Sequence, residues 1–240
     1  MITNLRQCCR VSPLRCFSFF LLKNDNMENL KSVSPEIIEY VEKEIIPRYA
    51  SFDKAHQEGH VRTVIEQSLK LAEHTPSMDA DMLYVIAAFH DLGLVNGREN
   101  HHRDSRKILE ADEFVKSHFT AEQVRTMGEA VEDHRASNSQ KPRSEYGLTV
   151  AEADRFIDAE TIIRRTIQYG LANFPQLDRV GHYQRTIDHL NKKYGPDGYL
   201  KIWIPWSDNA RNLKKLHAIL ADKTRLDEIF NRIFDEETKE

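Results

Sequence analysis

The residues best suited to chemistry stand in an apolar run, where a histidine is followed directly by an aspartate. His90 and Asp91 interrupt the run YVIAAFHDLGL at residues 84–94. Burying a polar group without a partner costs about 2–7 kcal/mol, so both side chains need partners there. A divalent metal ion suits an imidazole and a carboxylate together. Adjacent helix residues point about 100° apart, so both can reach one ion beside the helix. Gly93 lets another backbone or a substrate approach closely.

Further candidate ligands lie on either side of this pair, in segments with a helical pattern. His60 follows His56 by four residues in DKAHQEGHVR, and Asp154 lies in AEADR. Two imidazole nitrogens and two carboxylates make a mixed nitrogen and oxygen site, which suits Mn²⁺, Fe²⁺, Co²⁺, Ni²⁺ or Mg²⁺. The residue types do not select one of these ions.

The order His60, His90-Asp91, Asp154 resembles the ligand series of the HD-domain superfamily of metal-dependent phosphohydrolases. Two flanking segments extend the resemblance to small single-domain bacterial HD hydrolases. EDHRAS resembles their D-H-S-type segment, and DRFID is similar to their ADRLD element.

The resemblance implies an all-α fold, an HD-domain helical bundle with a metal site among its core helices. We expect a leader at residues 1–26 and a single HD domain over 27–240, with a motif core at 53–170 and a helical extension at 171–240. The implied activity is hydrolysis of a phosphoanhydride or phosphoester bond by a metal-activated water. The implied substrate is small and soluble, with a nucleotide favoured.

The resemblance also assigns roles to the other histidines and to nearby arginines. Catalytic roles are expected for His56, His101 and His134, and binding of substrate phosphate for His102, Arg103 and Arg155. A solvated loop is the alternative for the paired histidines, and a solvated helix face for the arginines. His101 and His134 follow Asp91 by 10 and 43 residues, which fits the dinuclear branch of the superfamily poorly. One divalent ion is therefore predicted, with a second as the alternative.

Two other functions stay open at this point. A dinuclear HD protein would be a phosphodiesterase or a di-iron oxygenase-like enzyme, and a count of bound metal separates it from a mononuclear hydrolase. A non-catalytic nucleotide sensor would keep the ligands and respond by a change of shape.

Composition narrows the class of partner. The 240 residues include 34 Lys and Arg against 38 Asp and Glu, for a net charge of −4. Without a basic field, neither nucleic acid nor an anionic membrane is an expected partner. No feature predicts an oligomeric state.

The first 26 residues differ in composition from the rest, because they contain all three cysteines. Their short apolar run is far below the roughly 20 residues that span a bilayer. We interpret this leader as the product of an upstream start, with Met27 as the natural first residue. The remaining chain has no cysteine, which agrees with the cytoplasm as the expected location.

Apolar residues recur at helical spacing almost throughout, without a convincing alternating pattern. Helices are predicted at 35–45, 58–73, 79–92, 103–116 and 179–193. Others are predicted to begin at Thr120 with a capping box, to run from after Asp154 to about Leu171, and to form the C-terminus. Trp203 and Trp206 are expected to pack against the core, with a base pocket as the alternative.

Overall fold

Helices make up most of the part that the computed structural model describes, residues 33–53, 56–138 and 140–239, and no strand occurs there. The predicted all-α fold is confirmed. The leader predicted at residues 1–26 lies outside the described residues. The α-helices are α1 Pro35–Tyr40, α2 Glu58–Ala72, α3 Ala80–Phe89, α4 His101–Ala111, α5 Glu113–His118, α6 Ala121–Asp133, α7 Glu145–Ala153, α8 Ala159–Asn173, α9 Arg179–Tyr194, α10 Asp208–Ala221 and α11 Lys223–Thr238.

The N-terminal helix is shorter than predicted. After α1 the chain continues through a π-helical turn at Val41–Ile45 and a 3-10 turn at Ile46–Ser51. Ser34 precedes Pro35 but forms no capping hydrogen bond. Its amide and hydroxyl instead donate to Asp81, each at 2.6 Å. These two hydrogen bonds connect the start of α1 to the start of α3.

Local capping explains other boundaries. The capping box predicted at Thr120 is present, with Gln123 as its partner, and α6 begins behind it. The single helix predicted over 103–116 is two helices, because Asp112 takes an extended backbone conformation and caps α5 through Val115 N–H. Asp91 ends the predicted 79–92 helix early, and a 3-10 turn follows at Leu92–Asn96.

The first buried cluster surrounds α3, which is buried along its length from Met82 to Phe89. Helices α2, α6 and α7 pack against α3, and α4 packs against α6 and the 3-10 turn after Asp91. Gly93 lets α4 approach, since a Cβ there would lie 2.1 Å from the carbonyl oxygen of His101. The predicted close approach is thus made by the backbone of α4.

A second buried cluster joins α8, α9, α10 and α11, with Ile163, Ile167 and Phe230 among its members. Its first residue is Ile157, and the last member of the first cluster is Ala153. The short segment between them connects the two clusters. The single domain proposed for residues 27–240 stays a prediction.

The expectation that both tryptophans pack against the core is wrong for Trp206. Its side chain is 47% exposed and lies against His74, with 4.2 Å between the ring centroids. Trp203 is partly buried. Among the described helices, none is both long and apolar enough to cross a membrane.

Candidate metal centre

Four predicted ligands converge where the ends of three helices meet. His60 lies in the first turn of α2, His90 caps the C-terminus of α3, and Asp154 caps that of α7. The Nε2 atom of His60 lies 3.2 Å from that of His90. It also lies 3.5 Å from Oδ2 of Asp91 and 3.2 Å from Oδ1 of Asp154. Residues separated by up to 94 positions therefore meet at one point.

The spacing of these atoms fits the ligands of one ion. Nε2 of His90 lies 3.3 Å from Oδ2 of Asp91 and 3.8 Å from Oδ1 of Asp154. Donors about 2.1 Å from a shared ion lie about 3.0–3.4 Å apart at the angles of octahedral or tetrahedral coordination. His60, His90 and Asp91 form a group able to hold a metal, and Asp154 contacts both histidines of that group.

A second group of donors lies on the other oxygen of Asp91. Oδ1 of Asp91 is 3.6 Å from Nε2 of His101 and 3.4 Å from Nε2 of His134. The two imidazole nitrogens are 3.2 Å apart, and the three residues could hold a metal ion together. The spacing along the chain argued against a second ion, but α4 and α6 bring these histidines together. Asp91 is thus shared between the two groups.

Backbone contacts orient three of the imidazoles. The Nδ1 atoms of His90, His101 and His134 lie 2.8, 2.8 and 2.5 Å from the carbonyl oxygens of Ala87, Arg98 and Val131, each three residues earlier. With a proton on Nδ1, the ring donates to the carbonyl and keeps a lone pair on Nε2. A hydrogen bond at the other ring nitrogen is the usual support of a metal-binding histidine. All three Nε2 atoms belong to the two donor groups.

The electrostatics favour ionised aspartates. Burial alone would raise the pKa of Asp91, but the charge of His90 and the hydrogen bonds of His134 and His60 hold it well below its ordinary value. Burial also raises the pKa of Asp154, but the hydrogen bond with His60 outweighs it, so the pKa lies below its ordinary value. At His60, burial lowers the pKa, but Asp154 and Asp91 outweigh it and raise the pKa to about 9. A divalent cation would displace the proton of His60 on binding.

The centre is buried on one side and open on the other. The side chains of His90, Asp91 and His134 are 0–5% exposed, whereas those of His60, His101 and Asp154 are 16–20% exposed. Solvent therefore reaches the centre at these last three residues.

Two of the remaining predicted residues lie next to the centre. His56 precedes α2, packs its ring against that of His60, and bonds to Asp53 at 2.8 Å through Nδ1. His102 is buried beside His101. Burial and then the positive charge of Arg135 lower the pKa of His102 to about 4, so this ring is neutral near pH 7.

The predicted arginines lie apart from the donor atoms. Arg103 is largely exposed and pairs with Glu132 at 3.9 Å. Arg155 is buried, donates through Nη1 to the carbonyl of Ala151, and has no hydrogen-bond partner at Nε. Burial lowers the pKa of Arg155, against the opposing charges of Glu152 and Asp154.

Two supporting residues were missed by sequence reasoning. Tyr49 is fully buried, donates its hydroxyl to the carbonyl of Ala88 at 2.8 Å, and accepts from Asp91 N–H at 3.4 Å. Arg135 donates to the carbonyl of Glu99 at 2.7 Å. Arg135 stands beside His134 in the sequence, which is a usable signal. Nothing in the sequence connects Tyr49 with Asp91, 42 residues later.

The comparison with known families agrees with this geometry. The HD domain profile matches residues 58–158, which include all four predicted metal ligands and both histidines of the second group. Residues 58–158 are an HD domain. No curated protein and no solved structure gives a significant match to the chain. HD domains bind divalent metals and are mostly metal-dependent hydrolases, and the donor groups of this HD domain fit such an ion.

Proposed function

We propose that this protein is a metal-dependent phosphohydrolase that acts on a small soluble phosphorylated substrate, a nucleotide. The observation that carries the proposal is the carboxylate of Asp91, shared between two groups of imidazoles in an HD domain. Oriented Nε2 atoms around an ionised carboxylate make a centre for a divalent cation. We place an anionic substrate at its partly exposed residues, His60, His101 and Asp154.

Each group of residues has a distinct task in this proposal. His60, His90, Asp91 and Asp154 hold the ion. When bound, a divalent ion supplies Lewis acidity to a phosphoryl oxygen and lowers the pKa of an attacking water. His101, on the open side of the centre, is the residue suited to contact the substrate or its leaving group.

We assign the positive charge that binds the substrate phosphate to three arginines. Arg135, 3.5 Å from His102, supplies a cation beside α4. His102 is neutral and can donate or accept a hydrogen bond without adding charge. Arg103, with its charge only loosely paired, and Arg155, with its free Nε, complete the set that we assign to phosphate binding. His56 orients His60 through its ring contact.

The second donor group supports a dinuclear variant of the same centre. His101 and His134 around Oδ1 of Asp91 are suited to a second ion. A metal count of two per chain would favour a dinuclear enzyme, either a phosphodiesterase or a di-iron oxygenase-like protein. Two irons with visible absorption would select the oxygenase, and two ions without such absorption the phosphodiesterase or a dinuclear hydrolase.

Product analysis tests the proposal. Residues 27–240 would be incubated with Mn²⁺ and ribo- and deoxyribonucleoside mono-, di- and triphosphates, with phosphate and pyrophosphate scored separately. We expect wild-type protein to release phosphate or pyrophosphate, and Asp154→Asn to release neither. Asp197→Asn is the control and should leave the release unchanged, because Asp197 lies exposed in the turn after α9. Nucleotide binding without any product from protein that holds metal would favour the sensor and refute the hydrolase.

A further inference from the structure

A cavity of about 160 Å³ lies beside the HD centre, between α2, the end of α7 and the segment that leads into α10. Two aromatic side chains at its edge, Trp206 and Phe156, are 47% and 51% exposed. The His74 ring lies against the indole of Trp206. Exposed aromatic rings that meet at one concave site are typical of a ligand-binding surface. Their flat faces suit another aromatic ring.

Two polar side chains of the cavity are available to a ligand. Within the described part of the chain, neither the amide of Gln67 nor the imidazole of His74 makes a hydrogen bond, whereas Asn209 is committed to Ile157 and Glu152. An amide both donates and accepts, as does a neutral imidazole. Gln67 and His74 can therefore hydrogen-bond to the polar edge of a heterocycle that stacks on Trp206.

The charged residues of the cavity leave a small positive excess. Lys70 pairs with Asp208 at 3.0 Å, and Arg211 pairs with the same carboxylate. Two cations share one anion, so the cavity carries one uncompensated positive charge. This charge favours an anionic ligand over a cationic one.

The position of the cavity relates it to the metal centre. Gln67 follows His60 by seven residues on α2, so it lies two turns further along the same helix face, about 10 Å along the axis. Ala153 and Phe156, on the cavity wall, flank the metal ligand Asp154 in the sequence. A ligand with its ring in the cavity can therefore extend toward the centre.

We propose that this cavity binds the base of the nucleotide substrate and that the base is a pyrimidine. This proposal rests on the proposed function for the placement of the phosphate at the metal centre. The volume supports a single ring, since a cavity of about 150 Å³ holds one benzene molecule. A purine has a second fused ring, which would extend out of this volume into solvent.

Binding without hydrolysis gives the first test. In Trp203→Phe, Trp206 is the one remaining tryptophan of the chain, so its fluorescence reports on the cavity. Protein in its Mn²⁺-bound form would be titrated with uridine, cytidine and adenosine, which carry no phosphate that the enzyme could hydrolyse. We expect uridine and cytidine to change the fluorescence and adenosine to bind at least about tenfold more weakly. No change with any nucleoside, or equal binding of adenosine, would overturn the proposal.

Calorimetry on variants gives the second test. Trp206→Ala and Gln67→Ala are each expected to weaken uridine binding about tenfold, the effect of losing one stacking partner or one pair of hydrogen bonds. Tyr169→Ala is the matched control, because Tyr169 is an exposed aromatic residue on α8 that does not line the cavity. Unchanged affinity in Trp206→Ala, with unfolding midpoints equal to that of the wild type, would refute the cavity as the base site.

The outcomes separate this proposal from the proposed function. Hydrolysis of nucleotides at a kcat/KM that Trp206→Ala does not alter would refute the base site and leave the hydrolase intact. Uridine binding at Trp206 without product from any phosphorylated substrate would refute the hydrolase and support the cavity as a pyrimidine site. A pyrimidine preference in kcat/KM that Trp206→Ala abolishes would support both.

Discussion

At the scale of single residues, Asp91 is the buried carboxylate on which both donor groups of the centre depend. Its side chain is almost fully buried, its amide contacts the hydroxyl of Tyr49, and its two carboxylate oxygens face different pairs of histidines. A buried carboxylate is stable only with compensating partners. Protonated imidazoles can supply them as hydrogen-bond donors, and a bound cation would supply them more strongly while the imidazoles are neutral.

Replacing Asp91 tests this role directly. Asp91→Ala is expected to lose bound metal and activity together, because both donor groups contain this carboxylate. The loss of kcat/KM should exceed the roughly 10–100-fold that removal of a ligand-orienting residue costs. Elemental analysis of dialysed protein gives the metal per chain, and Asp197→Asn serves as the control. A fully active Asp91→Ala protein would refute the site.

Gly93 sets how closely α4 can approach the centre. Its Gly93→Ala variant would place a Cβ 2.1 Å from His101 O and 2.5 Å from Ser105 N, both backbone atoms that cannot rotate away. We expect destabilisation by about 1–3 kcal/mol or more, as for an overpacked core. Urea unfolding measures it.

Gly59→Ala is the control for this substitution, since a Cβ at Gly59 in α2 meets no atom within 4 Å. That variant should be as stable as the wild type or more stable, by up to about 1 kcal/mol. Equal unfolding midpoints for the two variants would contradict the close approach of α4.

At the scale of elements, the end of α7 joins the centre to the C-terminal helices. Glu152 is fully buried and accepts hydrogen bonds from Ser207 Oγ at 2.6 Å and Trp203 N–H at 3.2 Å. Asn209 donates to the carbonyl of Glu152 at 2.7 Å. Glu152 therefore holds the segment before α10 against the helix that ends in Asp154. The same segment forms one wall of the Trp206 cavity.

Glu152→Ala should lower the free energy of unfolding by about 2–4 kcal/mol, because a buried hydroxyl and a buried N–H lose a charged acceptor. Glu152→Gln keeps one oxygen and should lose less. Glu145→Ala, at the exposed start of the same helix, should lose at most about 1 kcal/mol through the helix dipole. Chemical unfolding orders the three variants, and equal losses in Glu145→Ala and Glu152→Ala would contradict the role of Glu152.

At the scale of the whole molecule, the metal centre lies at the junction of the two buried clusters. Asp154 follows the last residue of the first cluster and precedes the first residue of the second. His60, His90, His101 and His134 come from helices around the first cluster. A bound ion would link these helices to the start of the C-terminal part.

Metal removal should therefore destabilise the whole molecule. A ligand at a hundred times its Kd stabilises the folded state by about 2.7 kcal/mol. We expect Mn²⁺ to raise the Tm of chelator-treated wild-type protein and to leave the Tm of Asp91→Ala unchanged, as measured by calorimetry. An equal rise in both proteins would mean that the ion binds elsewhere.

Local structure could be predicted from the sequence wherever local physics decides it. The bounds of α2 and α9 differ from prediction by one residue, and the box of Thr120 and Gln123 opens α6, because apolar spacing and caps act over a few residues. The all-α class followed from the same periodicity. The order His60, His90-Asp91, Asp154 carried the resemblance to the HD domain, which the family profile supports.

Tertiary structure decided the features that depend on distant contacts. Ser34 bonds to Asp81 rather than capping α1, Tyr49 supports Asp91, and Trp206 lies at a cavity instead of in the core. The separation of His101 and His134 along the chain argued against a second donor group, but the packing of α4 on α6 places both at one oxygen of Asp91. Sequence by itself determined the residue types and the helices, since these follow from short-range chemistry. Only packing decided which atoms meet, because helix packing brings side chains together irrespective of their separation in the chain.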